Sequence, residues 1–231
     1  MLIIGGGGYT LPRWIDDALP KASVEVVEID PGVTEIAHRK LGLPRNTKIV
    51  SYNLDGRQFV QERATPGHYQ LVVQDAVNDL SVPYHIMTKE YNDAVKRLLT
   101  PDGAYLLTVI DHFEDGLLMR AAVRTMQQSF THVNLLAASK LWVAEKDESG
   151  ELIPVGQTVW VISGSSRPFD RDALAAAVER QKAGPTKTVA MPPDELRAYL
   201  DRKPAPVLTD AYAPVDNLIS FVFRKQAERD R

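Results

Sequence analysis

Small and acidic residues follow each of the first four apolar runs of the chain, and their types could bind or activate a polar ligand. The first run, Leu2-Ile3-Ile4, passes directly into Gly5-Gly6-Gly7-Gly8. Glycines let backbone N–H groups approach a ligand closely and permit positive φ angles. A strict dinucleotide fingerprint counted from Gly5 needs a glycine at position 10, where Thr10 stands. The loop therefore predicts a nucleoside ligand without specifying NAD, and a tight strand-to-helix turn is the alternative.

The second apolar run ends in Glu28-Ile29-Asp30. In α/β folds, a carboxylate about 20 residues beyond a glycine loop commonly binds the ribose hydroxyls of a nucleotide. Asp30 precedes Pro31 and so has a competing role as a helix N-cap. Glu28 is therefore the predicted ribose ligand, and a surface carboxylate is the alternative.

The third run leads to Asp55-Gly56-Arg57. A carboxylate at Asp55 can accept a hydrogen bond from the exocyclic amine of adenine, and Gly56 leaves space for the base. Asp55 can equally cap a helix over residues 57–63. The sequence leaves both roles open.

The fourth run ends in Gln74-Asp75-Ala76-Val77-Asn78-Asp79. Carboxylates at the mouth of a sheet are costly unless a cation or a hydrogen-bond donor meets them. Asp79 is suited to helix capping, whereas no helix is expected to begin in the few residues after Asp75. Asp75 is therefore the stronger candidate for chemistry.

These residues share one edge of a sheet only if the apolar runs are parallel strands. The runs alternate with longer segments of helical period, which predicts parallel strands joined by crossover helices. Thr10, Asp30 and Thr88 are the predicted N-caps of three of these helices, and Asp102-Gly103 is a predicted turn. The predicted strands are residues 2–4, 24–29, 48–52, 69–74 and 104–110.

After residue 110 the pattern changes. Helices are predicted from about residue 115 to 130, over 170–182 and over 193–202. The first of these helices leads to an apolar run at 133–138. The runs around Leu141 and at 158–163 predict an antiparallel hairpin with its tip at 145–151. The predicted fold class is α/β: a Rossmann-like S-adenosylmethionine-dependent methyltransferase fold, with a mostly parallel sheet and a C-terminal antiparallel hairpin.

With these residues in place, the chain resembles the spermidine synthase family of polyamine aminopropyltransferases. The resemblance covers residues 2–110 through the glycine loop, Val27-Glu28-Ile29-Asp30, Asp55-Gly56 and the stretch 75–103. Residues 208–218 are similar to the synthase-like domain of bacterial members fused to a transporter. Asp210 and Asp216 in this stretch could fold over the pocket, and the sequence leaves their role open. Such a domain would lack the N-terminal β-hairpin domain of the family, so residues 1–231 are expected to form one catalytic domain.

The resemblance implies transfer of an aminopropyl group from decarboxylated S-adenosylmethionine to a diamine such as putrescine, with methylthioadenosine as product. It implies that Glu28 holds the ribose, Asp55 the adenine and Asp75 the attacking amine. Because a primary amine with a pKa near 10.4 is protonated at neutral pH, Asp75 is the predicted base. Asn78, Asp79 and Tyr84 are the predicted diamine-binding residues.

Two residues depart from the family pattern. Members usually carry Asp where this chain has Gly8, and a second acid where it has Asn78. The neighbouring His85 could also line the acceptor pocket, although for both Tyr84 and His85 an ordinary loop position is the alternative. The adenosine site is therefore better supported than the acceptor site.

Composition narrows the remaining options. The chain has 231 residues, 44% of them hydrophobic, which suits one globular domain. The absence of cysteine excludes disulfides and a cysteine nucleophile, and it fits a reducing, cytoplasmic location. A formal net charge of −3 disfavours nucleic acid as a partner, and no apolar run is long enough to insert into a membrane. The five histidines lack metal-ligand spacing, so no metal is expected.

Three functions remain open at this stage. The first is the aminopropyltransferase, which could form a homodimer. The second is an S-adenosylmethionine-dependent methyltransferase, which the missing acid at Gly8 favours. The third is a non-catalytic nucleoside-binding regulatory domain of a membrane protein. Fold alone does not select among these three functions.

Overall fold

A mostly parallel sheet organises the residues described by the computed structural model, which are 1–77, 83–138, 145–146, 152–153, 157–180 and 188–220. The strands are β1 (Leu2–Ile4), β2 (Glu25–Glu28), β3 (Val50–Asn53), β4 (Tyr69–Gln74), β5 (Leu99–His112), β6 (His132–Ala138), β7 (Glu145–Lys146), β8 (Leu152–Ile153), β9 (Gln157–Ser165) and β10 (Thr188–Ala190). Within these ranges eight strands form one sheet in the order β3-β2-β1-β4-β5-β9-β6-β10, and β7 pairs with β8.

The two halves of the sheet differ in strand direction. The first five strands, from β3 to β5 in the sheet order, pair in parallel. Strand β9 lies antiparallel between β5 and β6, and β10 pairs antiparallel with β6. The predicted α/β methyltransferase-type fold with its antiparallel C-terminal hairpin is thus confirmed. The edge strand β10 was not predicted from the sequence.

Helices connect and cover the strands: α1 (Thr10–Ala18), α2 (Pro31–Lys40), α3 (Gly56–Glu62), α4 (Lys89–Leu98), α5 (Leu118–Met126), α6 (Arg171–Arg180) and α7 (Pro193–Arg202). Asp30 and Thr88 cap α2 and α4 through their side chains, as predicted. The prediction that Thr10 caps α1 is wrong, because Tyr9 is the N-cap of this helix and adopts a left-handed φ of 55°. The buried Tyr9 hydroxyl bonds Thr34 and Ser51, which fixes where α1 begins.

Two further expectations differ from the structure. Asp102-Gly103, predicted as a turn, lies inside β5. The strand pairing is interrupted there: Tyr69 of β4 pairs with Leu99, and Leu71 pairs with Ala104. The run around Leu141 and the hairpin tip at 147–151 lie outside the described residues, and β9 pairs directly with β6.

Both faces of the central strands are buried, which the apolar runs predicted, whereas three of the four residues of the edge strand β3 are exposed. Leu2 and Ile4 of β1 belong to the larger core cluster with residues of α3, α4, α5 and α7, whereas Ile3 belongs to the cluster under α1 and α2. Successive strand residues point to opposite faces, so a central strand needs apolar residues throughout. Among the described residues, no helix is long and apolar enough to cross a membrane.

Candidate nucleoside site

A pocket of about 480 Å³ opens where β1, β2, β3 and β4 end. In parallel α/β sheets, ligands bind at this edge, near the point where the strand order reverses. A larger cleft of about 630 Å³ beside α1 contains none of the predicted site residues. The pocket brings together, from four different strand ends, the predicted site residues Gly5, Gly7, Glu28, Asp55, Gly56 and Asp75.

Glu28 braces the glycine loop with its carboxylate. Its Oε2 accepts hydrogen bonds from the backbone N–H groups of Gly6 at 2.8 Å and Gly7 at 3.3 Å, and its Oε1 accepts from Asp30 at 3.0 Å. The residue is only 8% exposed. A carboxylate has about four lone-pair sites, so one remains for a further donor such as a ribose hydroxyl. The loop is thereby preorganised by the residue predicted to bind ribose.

The structural requirement for glycine differs from one position of the loop to the next. Gly5 and Gly7 adopt positive φ angles of 98° and 46°, which other residues reach only with strain. A Cβ at Gly6 would lie 2.8 Å from the ring of Tyr9. Gly8 lacks a positive φ, and an added Cβ would meet its nearest atom at 3.6 Å, an ordinary contact. The position where family members carry Asp therefore has room for a Cβ atom.

Asp55 serves as a helix cap and also lines the pocket. Its Oδ1 accepts from the backbone N–H groups of Arg57 at 2.9 Å and Gln58 at 3.0 Å, which confirms the capping interpretation. Its Oδ2 lies 2.9 Å from Nε2 of His85. Burial favours the neutral acid, but the bonds from Gln58, His85 and Arg57 outweigh it and lower the pKa of Asp55. The carboxylate therefore stays ionised.

Gly56 is required by packing as well as by space for a ligand. A Cβ at this position would lie 2.6 Å from the Cγ2 of Ile4, at the end of β1. The start of α3 can therefore approach β1 only because residue 56 has no side chain.

Asp75 is exposed and directly follows β4. Its backbone N–H donates to the carbonyl of Ile4 at 2.8 Å, which ties it to the end of β1. No hydrogen bond or ion pair of its carboxylate occurs among the described residues. All of its lone-pair sites are therefore open to a ligand, whereas those of Glu28 and Asp55 are partly occupied.

The remaining predicted residues are placed less fully. Asn78 and Asp79 lie outside the described residues. Tyr84, at the start of the 3₁₀ turn Tyr84–Ile86, is 61% exposed and does not line the pocket. Its ring contacts His85 edge-on with a centroid distance of 5.7 Å. His85, for which the sequence left a pocket position and an ordinary loop position open, lines the pocket and pairs with Asp55.

Sequence reasoning missed Gln74, the last residue of β4. Its buried side chain donates from Nε2 to the carbonyl of Ile86 at 3.0 Å and accepts from the hydroxyl of Tyr105 at 2.8 Å. Gln74 thus holds the segment that returns to the pocket after Asp75. A glutamine closing an otherwise apolar run was the available signal, since a buried amide needs specific partners.

Asp111, near the end of β5, has a local structural role. Its carboxylate accepts from the backbone N–H groups of His112 and Met119, each at 2.8 Å, and so fixes the loop before α5. Burial raises its pKa to about 6, despite those hydrogen bonds and the charge of Arg120. Asp111 does not line the pocket.

Comparison with known proteins finds relatives in two groups of transferases. No family model matches the chain. It is 32% identical over 104 residues to a polyamine aminopropyltransferase of Vibrio vulnificus, and this match covers 45% of this chain and 35% of that protein. It is 30% identical over 120 residues to the eEF1A lysine and N-terminal methyltransferase of Bos taurus, which covers 48% of this chain and 17% of that protein. The chain thus spans about a third or less of either relative.

Solved structures share the fold. A probable spermidine synthase from Corynebacterium glutamicum superposes with a TM-score of 0.72 at 20% identity, over 93% of this chain and 74% of that chain. Human methyltransferase-like protein 13 in complex with SAH superposes with a TM-score of 0.58 at 21% identity, over 94% of this chain and 87% of that chain. The resemblance seen in the sequence is confirmed: the chain has polyamine aminopropyltransferases among its homologues beside related methyltransferases, and both groups are transferases.

Proposed function

We propose that the pocket binds the adenosine part of decarboxylated S-adenosylmethionine and that the protein transfers its aminopropyl group to a diamine such as putrescine. The observation that carries this proposal is the acidic lining. Glu28, Asp55 and Asp75 face the pocket, and no lysine or arginine is present among its described lining residues. A site with this charge favours a cationic ligand.

The charge of the donor separates the two candidate reactions. Decarboxylated S-adenosylmethionine carries a sulfonium and an ammonium group, whereas S-adenosylmethionine adds a carboxylate. A carboxylate beside Asp75 would be repelled unless a cation or several N–H donors met it. Two N–H groups of the glycine loop, those of Gly6 and Gly7, already donate to Glu28. The lining therefore favours the decarboxylated donor.

The reaction requires one proton transfer and one displacement. Asp75 accepts a proton from the ammonium group of the diamine, and the freed nitrogen lone pair attacks the aminopropyl carbon bound to sulfur. The new C–N bond forms as the C–S bond breaks. The electron pair of the broken C–S bond stays on sulfur, which gives neutral methylthioadenosine. The unpaired carboxylate of Asp75 suits this role, because a base must come within about 3 Å of the proton it removes.

The adenosine part is assigned to the neighbouring strand ends. The lone pair that Glu28 retains can accept from a ribose hydroxyl, and Oδ2 of Asp55 can accept from the adenine amine while it pairs with His85. Both carboxylates are held in place by backbone N–H groups before any ligand binds. Such preorganisation limits the entropy lost on binding.

Methyl transfer from S-adenosylmethionine is the second candidate. Gly8 favours it, because the loop lacks the acid that family members place near the aminopropyl group. The methyltransferase similarity of the bovine relative adds to it.

Product identification tests both reactions. The protein is incubated with putrescine and either donor, and the products are identified by mass spectrometry. Spermidine formed only from the decarboxylated donor supports the proposal. A methylated amine supports the second candidate. Tight binding of methylthioadenosine without either product contradicts both and favours a binding domain without catalysis.

A further inference from the structure

Arg57, in the first turn of α3, joins two parts of the chain that are distant in sequence. Its guanidinium donates to both carboxylate oxygens of Asp210, from Nη1 at 2.7 Å and from Nη2 at 2.5 Å. Nη1 also donates to the carbonyl of His85 at 2.8 Å. The Arg57 side chain is 18% exposed and the Asp210 side chain 43% exposed, so the ion pair is buried on the arginine side and open to water on the aspartate side. Paired, fork-shaped contacts of this kind fix orientation as well as charge.

Asp210 has further partners that fix it at the start of α4. Its Oδ1 accepts from the hydroxyl of Thr88 at 2.7 Å, and its backbone N–H donates to Oε2 of Glu90 at 2.9 Å. Its bonds to Arg57 hold the pKa of Asp210 below the ordinary value of an aspartate. The carboxylate therefore stays ionised and paired with the guanidinium.

The segment around Asp210 is anchored without this carboxylate. Leu208 is fully buried; its carbonyl accepts from the backbone N–H of Lys89 and its own N–H donates to the hydroxyl of Thr125, both at 2.8 Å. Thr209 and Tyr212 close a small turn by pairing their backbones at 3.0 Å. Removing the Asp210 carboxylate should therefore release Arg57 rather than detach the segment.

Two side chains hold the pocket segment that contains His85. Gln74 donates to the carbonyl of Ile86, and Arg57 donates to the carbonyl of His85. With both carbonyls fixed, the imidazole of His85 lies against Oδ2 of Asp55 on the pocket wall. The position of His85 thus depends on Arg57, and the orientation of Arg57 depends on Asp210.

We propose that Arg57 and Asp210 are positioning residues that hold His85 against Asp55 and so shape the nucleoside pocket. This inference rests on the proposed function, because it assumes that the pocket binds a nucleoside. Neither residue lines the pocket, so they act through His85. Without the Asp210 carboxylate, the Arg57 guanidinium becomes free to compete with His85 for the neighbouring carboxylate of Asp55.

The test compares Asp210→Ala with a matched variant, Asp216→Ala. Asp216 is an exposed aspartate six positions further on, and its side chain has no hydrogen bond or ion pair among the described residues. Asp210→Ala is expected to raise the methylthioadenosine Kd and the donor KM about 10-fold, as expected for the loss of one charged hydrogen bond, while kcat changes little. Asp210→Glu, which keeps the carboxylate, is expected to recover part of the affinity, and Asp216→Ala to match the wild type.

Amide hydrogen exchange of the ligand-free protein separates this inference from the proposed function. Faster exchange across residues 83–88 in Asp210→Ala, at unchanged exchange elsewhere in the sheet, supports the positioning role even if no nucleoside binds. Wild-type exchange together with wild-type affinity in Asp210→Ala overturns it. A fall in kcat at constant KM also overturns it, because that result places Asp210 in the chemical step.

Discussion

The carbonyl oxygen of Asp75 occupies the space that a Cβ at Gly5 would need. Gly5 follows β1 and Asp75 follows β4, and these strands are paired in parallel, with Ile4 opposite Gln74. The glycine loop and the proposed base are therefore placed relative to each other by backbone contact. A change at Gly5 should disturb both the nucleoside pocket and the catalytic carboxylate.

We expect Gly5→Ala to destabilise the protein and weaken nucleoside binding. The added methyl group meets the backbone of Asp75, and the φ of 98° is strained for alanine. Backbone strain of this kind costs about 1–3 kcal/mol, before any cost of moving Asp75. Chemical denaturation measures the stability, and calorimetry measures the affinity for methylthioadenosine.

Gly8→Ala is the matched control for this prediction. Its φ is not positive and its added Cβ makes only ordinary contacts, the nearest at 3.6 Å. We expect nearly wild-type stability and affinity. Equal losses in the two variants would show that loop flexibility, and not the contact with Asp75, determines the requirement for glycine.

Local patterns in the sequence predicted the parts of the fold and site that depend on neighbouring residues. The apolar runs located β1 to β4 to within two residues, whereas β5 begins five residues before its predicted start. Asp30 and Thr88 were identified as helix caps. The glycine loop and Glu28 could be paired because βα units of this kind have a regular length. Their contact in the structure follows from that spacing.

Long-range contacts could not be predicted in the same way. Arg57 and Asp210 are 153 positions apart, and neither type nor spacing indicates that they pair. His85 lies in a short turn whose direction is set by Gln74 and Arg57 rather than by its own sequence. Strand β10 joins the sheet edge through only three residues, too few for a periodic signal.

Asp75→Asn should separate chemistry from binding. The amide is close in size to the carboxylate but cannot take a proton from the attacking amine. We expect kcat to fall about 100-fold or more, the contribution typical of a positioned general base. The affinity for methylthioadenosine should change little, because the Asp75 carboxylate makes no contact with Glu28 or Asp55. Full activity in this variant would show that another group removes the proton.

Gly8→Asp should shift the choice of donor. The position has room for a Cβ atom, and family members carry an acid there that helps to hold the aminopropyl end of the donor. We expect the ratio of kcat/KM for decarboxylated to intact S-adenosylmethionine to rise about 5-fold, as for an exposed ion pair of about 1 kcal/mol. Gly8→Asn, with the same shape and no charge, is the control. An equal shift in the control would exclude a role for charge.

Asp111 should contribute a component of stability that decreases with rising pH. Burial raises its pKa in the folded protein to about 6, whereas the ordinary value is 3.8. The folded state therefore holds this proton more tightly than the unfolded state, so the stabilisation is complete below about pH 4 and is lost as the pH rises through about 6. At about 1.4 kcal/mol per pKa unit, the loss amounts to about 3 kcal/mol.

Denaturant titration from pH 4 to pH 8 tests this prediction. It measures the free energy of unfolding of the wild type and of Asp111→Asn at each pH. Because Asn does not titrate, the wild-type advantage should shrink as the pH rises and level off above about pH 7. The same exchange at the exposed Asp17 provides a reference for the loss of one surface carboxylate. An advantage that grows with pH would mean that the hydrogen bonds from His112 and Met119 outweigh burial and that Asp111 is ionised in the fold.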